Sequence, residues 1–359
     1  MALPPPPARG FASDNASGAH PAVIEAIARA NVGHALAYGD DDWTRDCEGR
    51  FRDLLGDVTT LLTFNGTGAN VLALMALAGP ADAVVCAAGA HINADETGAP
   101  ERIAGVKLID LPTPDGKLVP DQIDDVVAAT RGVHHAQPGL VSISQATESG
   151  TLYSVDELGA LCESAHGHGL NVHVDGARIA NATVALGGDV ETLRAMTVDA
   201  GVDVLSFGGT KNGLLGGDAV VFLRPELARR AEYLRKQVTQ LPSKMRFIAA
   251  QFGALLEDGL WLELARAANT AASHLHAQVS AIPGLGVGPA PAVNSLFPTL
   301  PAAAIAPLQE WSFFWDWDVF RHQVRWMTAW DTTTADVEAF AAGVEAVLAD
   351  SGEAVDAAE

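Results

Sequence analysis

Three stretches of this chain put reactive side chains directly after short apolar runs. Phe64-Asn65-Gly66-Thr67-Gly68-Ala69-Asn70 leads from a strand-like run into a glycine-rich turn that opens an apolar helix. Unpaired N–H groups at a helix start and the helix dipole favour an anion there, and glycine lets the backbone come close, so the turn can cradle a phosphate. It has neither the Lys-Ser/Thr ending of a nucleoside-triphosphate loop nor the full spacing of a dinucleotide fingerprint. On its own it reads equally as a structural turn. His173-Val174-Asp175-Gly176-Ala177-Arg178 ends a buried-type run with a carboxylate and then a guanidinium. At the carboxyl edge of a parallel sheet both would face a ligand crevice, whereas a helix cap followed by a surface arginine is the plain alternative. Ser206-Phe207-Gly208-Gly209-Thr210-Lys211-Asn212-Gly213 surrounds one lysine with small neutral residues. That setting suits an amine that forms a Schiff base, or else a surface turn.

Together the three features converge on one cofactor. Pyridoxal 5'-phosphate needs a phosphate cradle at a helix start, an acid on its ring nitrogen and a lysine on its aldehyde. The acid keeps the ring nitrogen protonated, so the ring can take up the electron pair left when a bond at a substrate Cα breaks. A ring-stacking group is also expected. His91, in Gly89-Ala90-His91-Ile92-Asn93, follows a strand at a suitable place in the chain, although a lone histidine is more often an ordinary polar residue.

The elements that must hold these residues alternate between Thr60 and Leu223. Short apolar runs are expected as strands at Thr60 to Phe64, Ala83 to Cys86, Val106 to Ile109, Leu140 to Ser144, Leu170 to Val174, Val202 to Phe207 and Ala219 to Leu223. Helices are expected between them, at Asn70 to Ala78, Asp121 to Ala129, Val155 to His166, Arg178 to Leu186 and Val190 to Ala200. This is the pattern of an α/β fold with a mostly parallel sheet flanked by helices. From Pro225 the pattern becomes helical, over Glu226 to Lys236 and Met245 to Gln278, with a break near Asp258-Gly259. Beyond Pro283 it turns strand-like around Val287 to Phe297, Phe313 to Trp317 and Gln323 to Ala329. A helix from Thr333 to Leu348 closes it, and Ser351 to Glu359 is expected to fray. Alternating aromatics at 311, 313, 315 and 317 suggest a strand with one aromatic face, serving core or subunit packing or else lining a substrate.

Composition excludes several classes. The chain has 359 residues with 22 Lys+Arg against 44 Asp+Glu, a formal charge of −22, which argues against nucleic-acid or anionic-membrane partners. With 48% apolar residues it can bury a large core, so disorder is not the dominant state. Cys47, Cys86 and Cys162 are too few and too widely spaced for a disulfide framework or a zinc site. A reduced, cytoplasmic compartment is the default. The proline-rich Met1 to Gly10 reads as an extended tail rather than a targeting segment, and the run Val71 to Ala90 is broken by Gly79, Pro80 and Asp82, so no membrane span is expected. Metal binding by His166, His168 and His173 lacks a fourth donor at a coherent spacing.

From Phe11 to the last helix, the ordered motifs resemble the low-specificity L-threonine aldolases, including the phenylserine aldolases. They include Ser13-Asp14-Asn15, Tyr38-Gly39-Asp40-Asp41, Asp95-Glu96, Gly98-Ala99-Pro100-Glu101, Gln145-Ala146-Thr147-Glu148, Ser243-Lys244-Met245-Arg246-Phe247 and Val324-Arg325-Trp326, besides those above. The resemblance implies the fold-type-I pyridoxal-phosphate architecture, a seven-stranded large domain with a smaller α+β C-terminal domain. The implied division is a tail over 1–10, an N-terminal segment over 11–45 packing on the small domain and a partner subunit, a large domain over 46–245 and a small domain over 246–359. Lys211 is then the Schiff-base lysine, Asp175 the partner of the pyridine nitrogen and His91 the stacking ring. Gly66, Thr67, Gly68 and Thr210 hold the phosphate. Ser13, Arg178 and Arg325 bind the substrate carboxylate, and Tyr38, Lys236 and Arg246 are contributed by a neighbouring chain of a homodimer or homotetramer. Glu148 stands where many members carry a histidine that contacts the substrate hydroxyl. No metal is implied. The implied reaction is retro-aldol cleavage of L-β-hydroxy-α-amino acids of the threonine, allo-threonine or phenylserine type to glycine and an aldehyde. The β-hydroxyl proton would leave to His91, Glu148 or a water. Another reaction on the same Schiff base, such as β-elimination, racemisation or transamination, is the alternative, and a non-catalytic protein that retains the fold is the alternative of a different class.

Overall fold

Residues 3–356 are described by the structure, a computed structural model, with side chains to residue 349. Dense internal packing divides them into two units, Ala19–Leu262 and the chain on either side of it.

The larger unit is built on seven strands: β1 (Thr59–Thr63), β2 (Asp82–Ala87), β3 (Lys107–Leu111), β4 (Gln137–Ser144), β5 (Asn171–Gly176), β6 (Val204–Gly208) and β7 (Asp218–Phe222). Their spatial order is β1-β7-β6-β5-β4-β2-β3, and only β7 runs against its neighbours. Every strand expected between Thr60 and Leu223 is present within a few residues of its expected bounds. Ten helices accompany them: α1 (Pro21–Ala30), α2 (Asp42–Leu55), α3 (Gly66–Leu77), α4 (His91–Ala94), α5 (Pro120–Ala129), α6 (Val155–Gly167), α7 (Ile179–Leu186), α8 (Val190–Ala195), α9 (Ala231–Gln237) and α10 (Arg246–Leu256). Local chemistry sets their starts. Asn65 caps α3, Asp41 caps α2, and Ser154 with Glu157 forms a capping box on α6. The apolar face of α3 packs Leu72 and Ala73 against Leu61, Val204 and Phe222 of the sheet.

The unit boundaries depart from the expected division at 45/46 and 245/246. α1 and α2 pack on α10, the Phe207 ring lies 5.4 Å from Phe51 and 5.8 Å from Trp261, and the His20 N–H donates to the Gly213 carbonyl at 2.8 Å. Residues 19–45 and α10 therefore share the core of the large unit. The break expected at Asp258-Gly259 is real, with Asp258 at φ 49°.

The second unit holds α11 (Leu260–Val279) from Glu263 on, β8 (Ser295–Leu296), α12 (Ala302–Trp311), β9 (Trp315–Asp318), β10 (Gln323–Met327) and α13 (Thr334–Asp356), with an antiparallel sheet ordered β8-β10-β9. Its core gathers Phe11, Leu275, Phe314, Trp326 and Phe340. From Leu3 to Gly10 the N-terminal tail has no regular secondary structure and is tied down, because Trp311 Nε1 donates to the Pro4 carbonyl and Arg9 pairs with Asp331 and Asp336. Residues 1–2 of that tail lie outside the described residues. Of the alternating aromatics only Trp315 and Trp317 lie on a strand, β9. Trp311 ends α12, a helix hidden in the sequence by Pro307 in its interior, while Phe313, Trp315 and Phe320 are exposed. α13 runs past its expected end at Leu348, and residues 357–359 of the expected frayed terminus lie outside the described residues. Among the described residues no helix is long and apolar enough to cross a membrane.

Candidate active site

Register in the large sheet brings the three motifs to one edge. Ser144 pairs with Asp175 and Asp175 with Ser206, so β4, β5 and β6 end side by side and their following loops share the carboxyl edge. There a cavity is lined by Gly66, Thr67, His91, Glu148, Asp175, Arg178 and Lys211 among its twelve residues. Seven side chains or turn residues singled out in the sequence thus meet at one place.

The glycine turn divides its labour. Gly66 and Thr67 form the first turn of α3 and line the cavity, where the helix leaves its leading N–H groups free of intrahelical partners. Gly68 does not serve the cavity as expected. Its N–H donates to Asn65 Oδ1 at 2.8 Å, and a Cβ there would lie 2.2 Å from Gln240 Cδ, so Gly68 is glycine to admit the Gln240 side chain. Gln240 Oε1 in turn accepts from the Phe64 N–H.

Asp175 is buried at the end of β5. Its Oδ1 accepts from the Ala177 N–H at 2.9 Å and its Oδ2 from Asn70 Nδ2 at 2.8 Å. Burial opposes its ionisation, but the charges of Lys211 and His91 and the Ala177 N–H outweigh that and hold the carboxyl below its ordinary range. His91 opens α4. Its Nδ1 lies 2.9 Å from Glu96 Oε1, a contact that raises the imidazole above its ordinary value against the opposing effect of burial. The His91 N–H donates to Glu148 Oε1 at 2.9 Å, and Ser144 Oγ donates to the same oxygen at 2.7 Å. Burial pushes Glu148 above the usual carboxylate range, with the Ser144 hydrogen bond working against it.

Lys211 is the middle residue of a single tight turn, Thr210–Asn212, directly after β6. Thr210 does not line the cavity, and its Oγ1 reaches Asp218 Oδ2 at 3.2 Å. Asp218, at the start of β7, also accepts from the Gly209 N–H at 3.0 Å, while Asn212 Nδ2 donates to the Trp261 carbonyl at 2.8 Å. The backbone on both sides of Lys211 is therefore clamped. Burial holds the Asp218 carboxyl above its ordinary value.

Ser13 and Arg325 belong to the second unit. Ser13 Oγ accepts from the Asn15 N–H, and the Arg325 guanidinium lies 5.5 Å from the Trp317 ring centre. Tyr38, Lys236 and Arg246 lie on the large unit, with Lys236 Nζ 4.9 Å from the Tyr38 ring centre and Arg246 Nη1 donating to the Gly33 carbonyl. The three histidines considered for a metal serve other ends: His166 pairs with Asp203, His168 with Asp124, and His173 lies between Ser142 and Ser206. Sequence reasoning assigned no role to Asn70, Glu96, Ser144 or Asp218. The one signal for Asp218 was an acid opening an otherwise apolar buried strand.

The donor set suits a group that carries an anion, a basic ring nitrogen and a carbonyl. Gly66 and Thr67 at the helix start match a phosphate, ionised Asp175 a protonated ring nitrogen, His91 a ring face and Lys211 an aldehyde. Pyridoxal 5'-phosphate combines all four features.

Residues 10–299 match the family model described as beta-eliminating lyase. The chain is 42% identical to the low specificity L-threonine aldolase of Pseudomonas sp. (strain NCIMB 10558), over 94% of this chain and 97% of that protein. It is 41% identical to the low specificity L-threonine aldolase of Pseudomonas aeruginosa over the same shares. The structure of Leishmania major threonine aldolase superposes with a TM-score of 0.87 at 31% identity, covering 94% of this chain and 99% of that one. Full-length likeness and a cavity furnished for the cofactor agree that the chain belongs to the beta-eliminating lyase family and is a pyridoxal-phosphate-dependent lyase.

Proposed function

We propose that this lyase cleaves L-β-hydroxy-α-amino acids of the threonine, allo-threonine or phenylserine type between Cα and Cβ, giving glycine and an aldehyde. The observation that carries the reading is the meeting of Lys211, Asp175, His91 and Glu148 in one cavity beside the start of α3. Bound pyridoxal phosphate supplies the electron sink for a bond broken at Cα. Lys211 would hold its aldehyde carbon, Asp175 would keep its ring nitrogen protonated, His91 would stand against its ring, and Gly66 and Thr67 would receive its phosphate.

Arg178 binds the substrate carboxylate, because a guanidinium fork fixes a carboxylate at two points and so sets the amino acid's orientation in the cavity. Thr210 acts through the turn that carries Lys211. Glu148 accepts the β-hydroxyl proton. Its Oε1 is already engaged by Ser144 and the His91 N–H, and a carboxyl raised by burial is the better base near neutral pH. Tyr38, Lys236 and Arg246 reach a neighbouring subunit's site in a homodimer or homotetramer. Exposed Val32 and Leu36 beside Tyr38 support that assembly, and a monomeric mass in light scattering would overturn it. Three buried free thiols support a reduced, cytoplasmic setting.

The test is product analysis with pyridoxal phosphate and each hydroxyamino acid. Aldehyde and glycine in equal amounts support the reading, with Lys211→Ala abolishing both. Formation of a 2-oxo acid with ammonia, or racemised substrate without aldehyde, would replace it by elimination or racemisation.

A further inference from the structure

The side chain of Asn70 reaches two acids that are 26 and 105 positions away in the chain. Its Nδ2 donates to Glu96 Oε1 at 2.9 Å and to Asp175 Oδ2 at 2.8 Å, using both amide hydrogens. The orientation of this amide is forced, because ionised carboxylates only accept and Asn70 Oδ1 in that place would face two of them. The Glu96 side chain has no exposed surface, and the same Oε1 also meets His91 Nδ1 at 2.9 Å. His91, Glu96 and Asp175 each bring a ligand-type atom within 4.8 Å of the others.

We propose that Asn70 and Glu96 are positioning residues that act on the cofactor through His91 and Asp175. Glu96 keeps a proton on His91 Nδ1, which leaves Nε2 as the ring nitrogen available to the cavity. The amide of Asn70, held between the two acids, lets Asp175 stay ionised beside Glu96. This inference rests on the reading of His91 and Asp175 as cofactor contacts.

The physics is that of a like-charge pair with a bridge. Two carboxylates at this separation would share a proton, and a shared proton would cost Asp175 its charge. A donor held between them gives each a hydrogen bond to its charged form. The imidazole is then held at two points, its ring by Glu96 and its backbone N–H by Glu148, which fixes the plane it presents. The other charged groups lining this space are Asp175 at the end of β5, Glu148 after β4, Lys211 after β6 and Arg178 before α7. None of them bonds His91 Nδ1 in place of Glu96.

The test uses nitrogen-15 NMR of the histidine rings in the full-length, cofactor-free protein, with the His91 signals identified by their loss in His91→Gln. The expected wild-type result is a neutral form protonated on Nδ1. Glu96→Gln removes the carboxylate and lowers the His91 midpoint by at least about one pH unit. Asn70→Ser leaves the two acids to share a proton, which removes one negative charge beside the ring and lowers the midpoint as well. A downward shift in both folded variants is what a merely structural role would not produce. An upward shift, or none, in either variant with wild-type circular dichroism would overturn the proposal. If Glu96→Gln fails to fold, the sign of the Asn70→Ser shift decides. Because no cofactor or substrate is present, the result is separate from that of the product assay.

Discussion

Gly208 at the end of β6 and Ala177 after β5 are in direct backbone contact: a Cβ on Gly208 would lie 2.3 Å from the Ala177 carbonyl oxygen. The loop that carries Lys211 and the loop that follows Asp175 are therefore spaced by the absence of one methyl group. Gly208→Ala must push the two loops apart, since the obstacle is backbone and cannot rotate away. Overpacking of this kind costs about 1–3 kcal/mol or more. Urea denaturation is expected to show that loss, and a titration with pyridoxal phosphate to show weakened binding; wild-type values in both would contradict the contact.

His173 gives the stability of the large unit an acid-side dependence. Burial between Ser142 and Ser206 pushes its imidazole down to about 4, against 6.5 for the unfolded chain. Between those values the unfolded chain binds the proton and the native protein does not, so stability falls as pH falls through that window and is intact above it. The full difference is roughly 3 kcal/mol. Comparing wild type with His173→Gln by denaturation from pH 7 to pH 4 should show a shallower decline in the variant.

Glu148 and Ser144 should separate in a pH–rate profile. Glu148→Gln removes the proton acceptor and is expected to lower kcat by about 10²–10⁴-fold while cofactor binding persists. Ser144→Ala removes the hydrogen bond that opposes the effect of burial on Glu148, so the acid limb of kcat should move to higher pH. An acid limb unchanged in Ser144→Ala would assign the proton transfer to another group.

Phe340 is the hub of the second unit's core. Its ring lies 4.3 Å from Phe11 and 5.0 Å edge-on from Trp326, with no exposed surface. Phe340→Ala leaves a cavity among rigid rings and is expected to cost about 3–5 kcal/mol. A change under 1 kcal/mol in urea denaturation would mean that the neighbouring rings collapse into the gap.

Much of this protein is legible in order along the chain. The strands between Thr60 and Leu223 are short apolar runs whose period and length allow little else, and residues that end them must gather at one sheet edge once the strands run parallel. That is why Gly66, Thr67, Asp175, Arg178 and Lys211 could be placed together before any fold was seen. The aromatic run misled in part because Trp311 ends a helix and Phe313 lies between that helix and β9, and Pro307 disguised the helix.

Tertiary structure alone decided which polar groups answer one another. Nothing local to Asn70 marks it as the link between Glu96 and Asp175, nothing near Asp218 marks it as the clamp on Gly209 and Thr210, and only packing against Gln240 turns Gly68 away from the cavity. Periodicity arises from backbone geometry within a segment and so is written in sequence. Hydrogen bonds between buried side chains depend on distances of a few tenths of an ångström between distant segments, and those distances exist only after the sheet and its helices have packed.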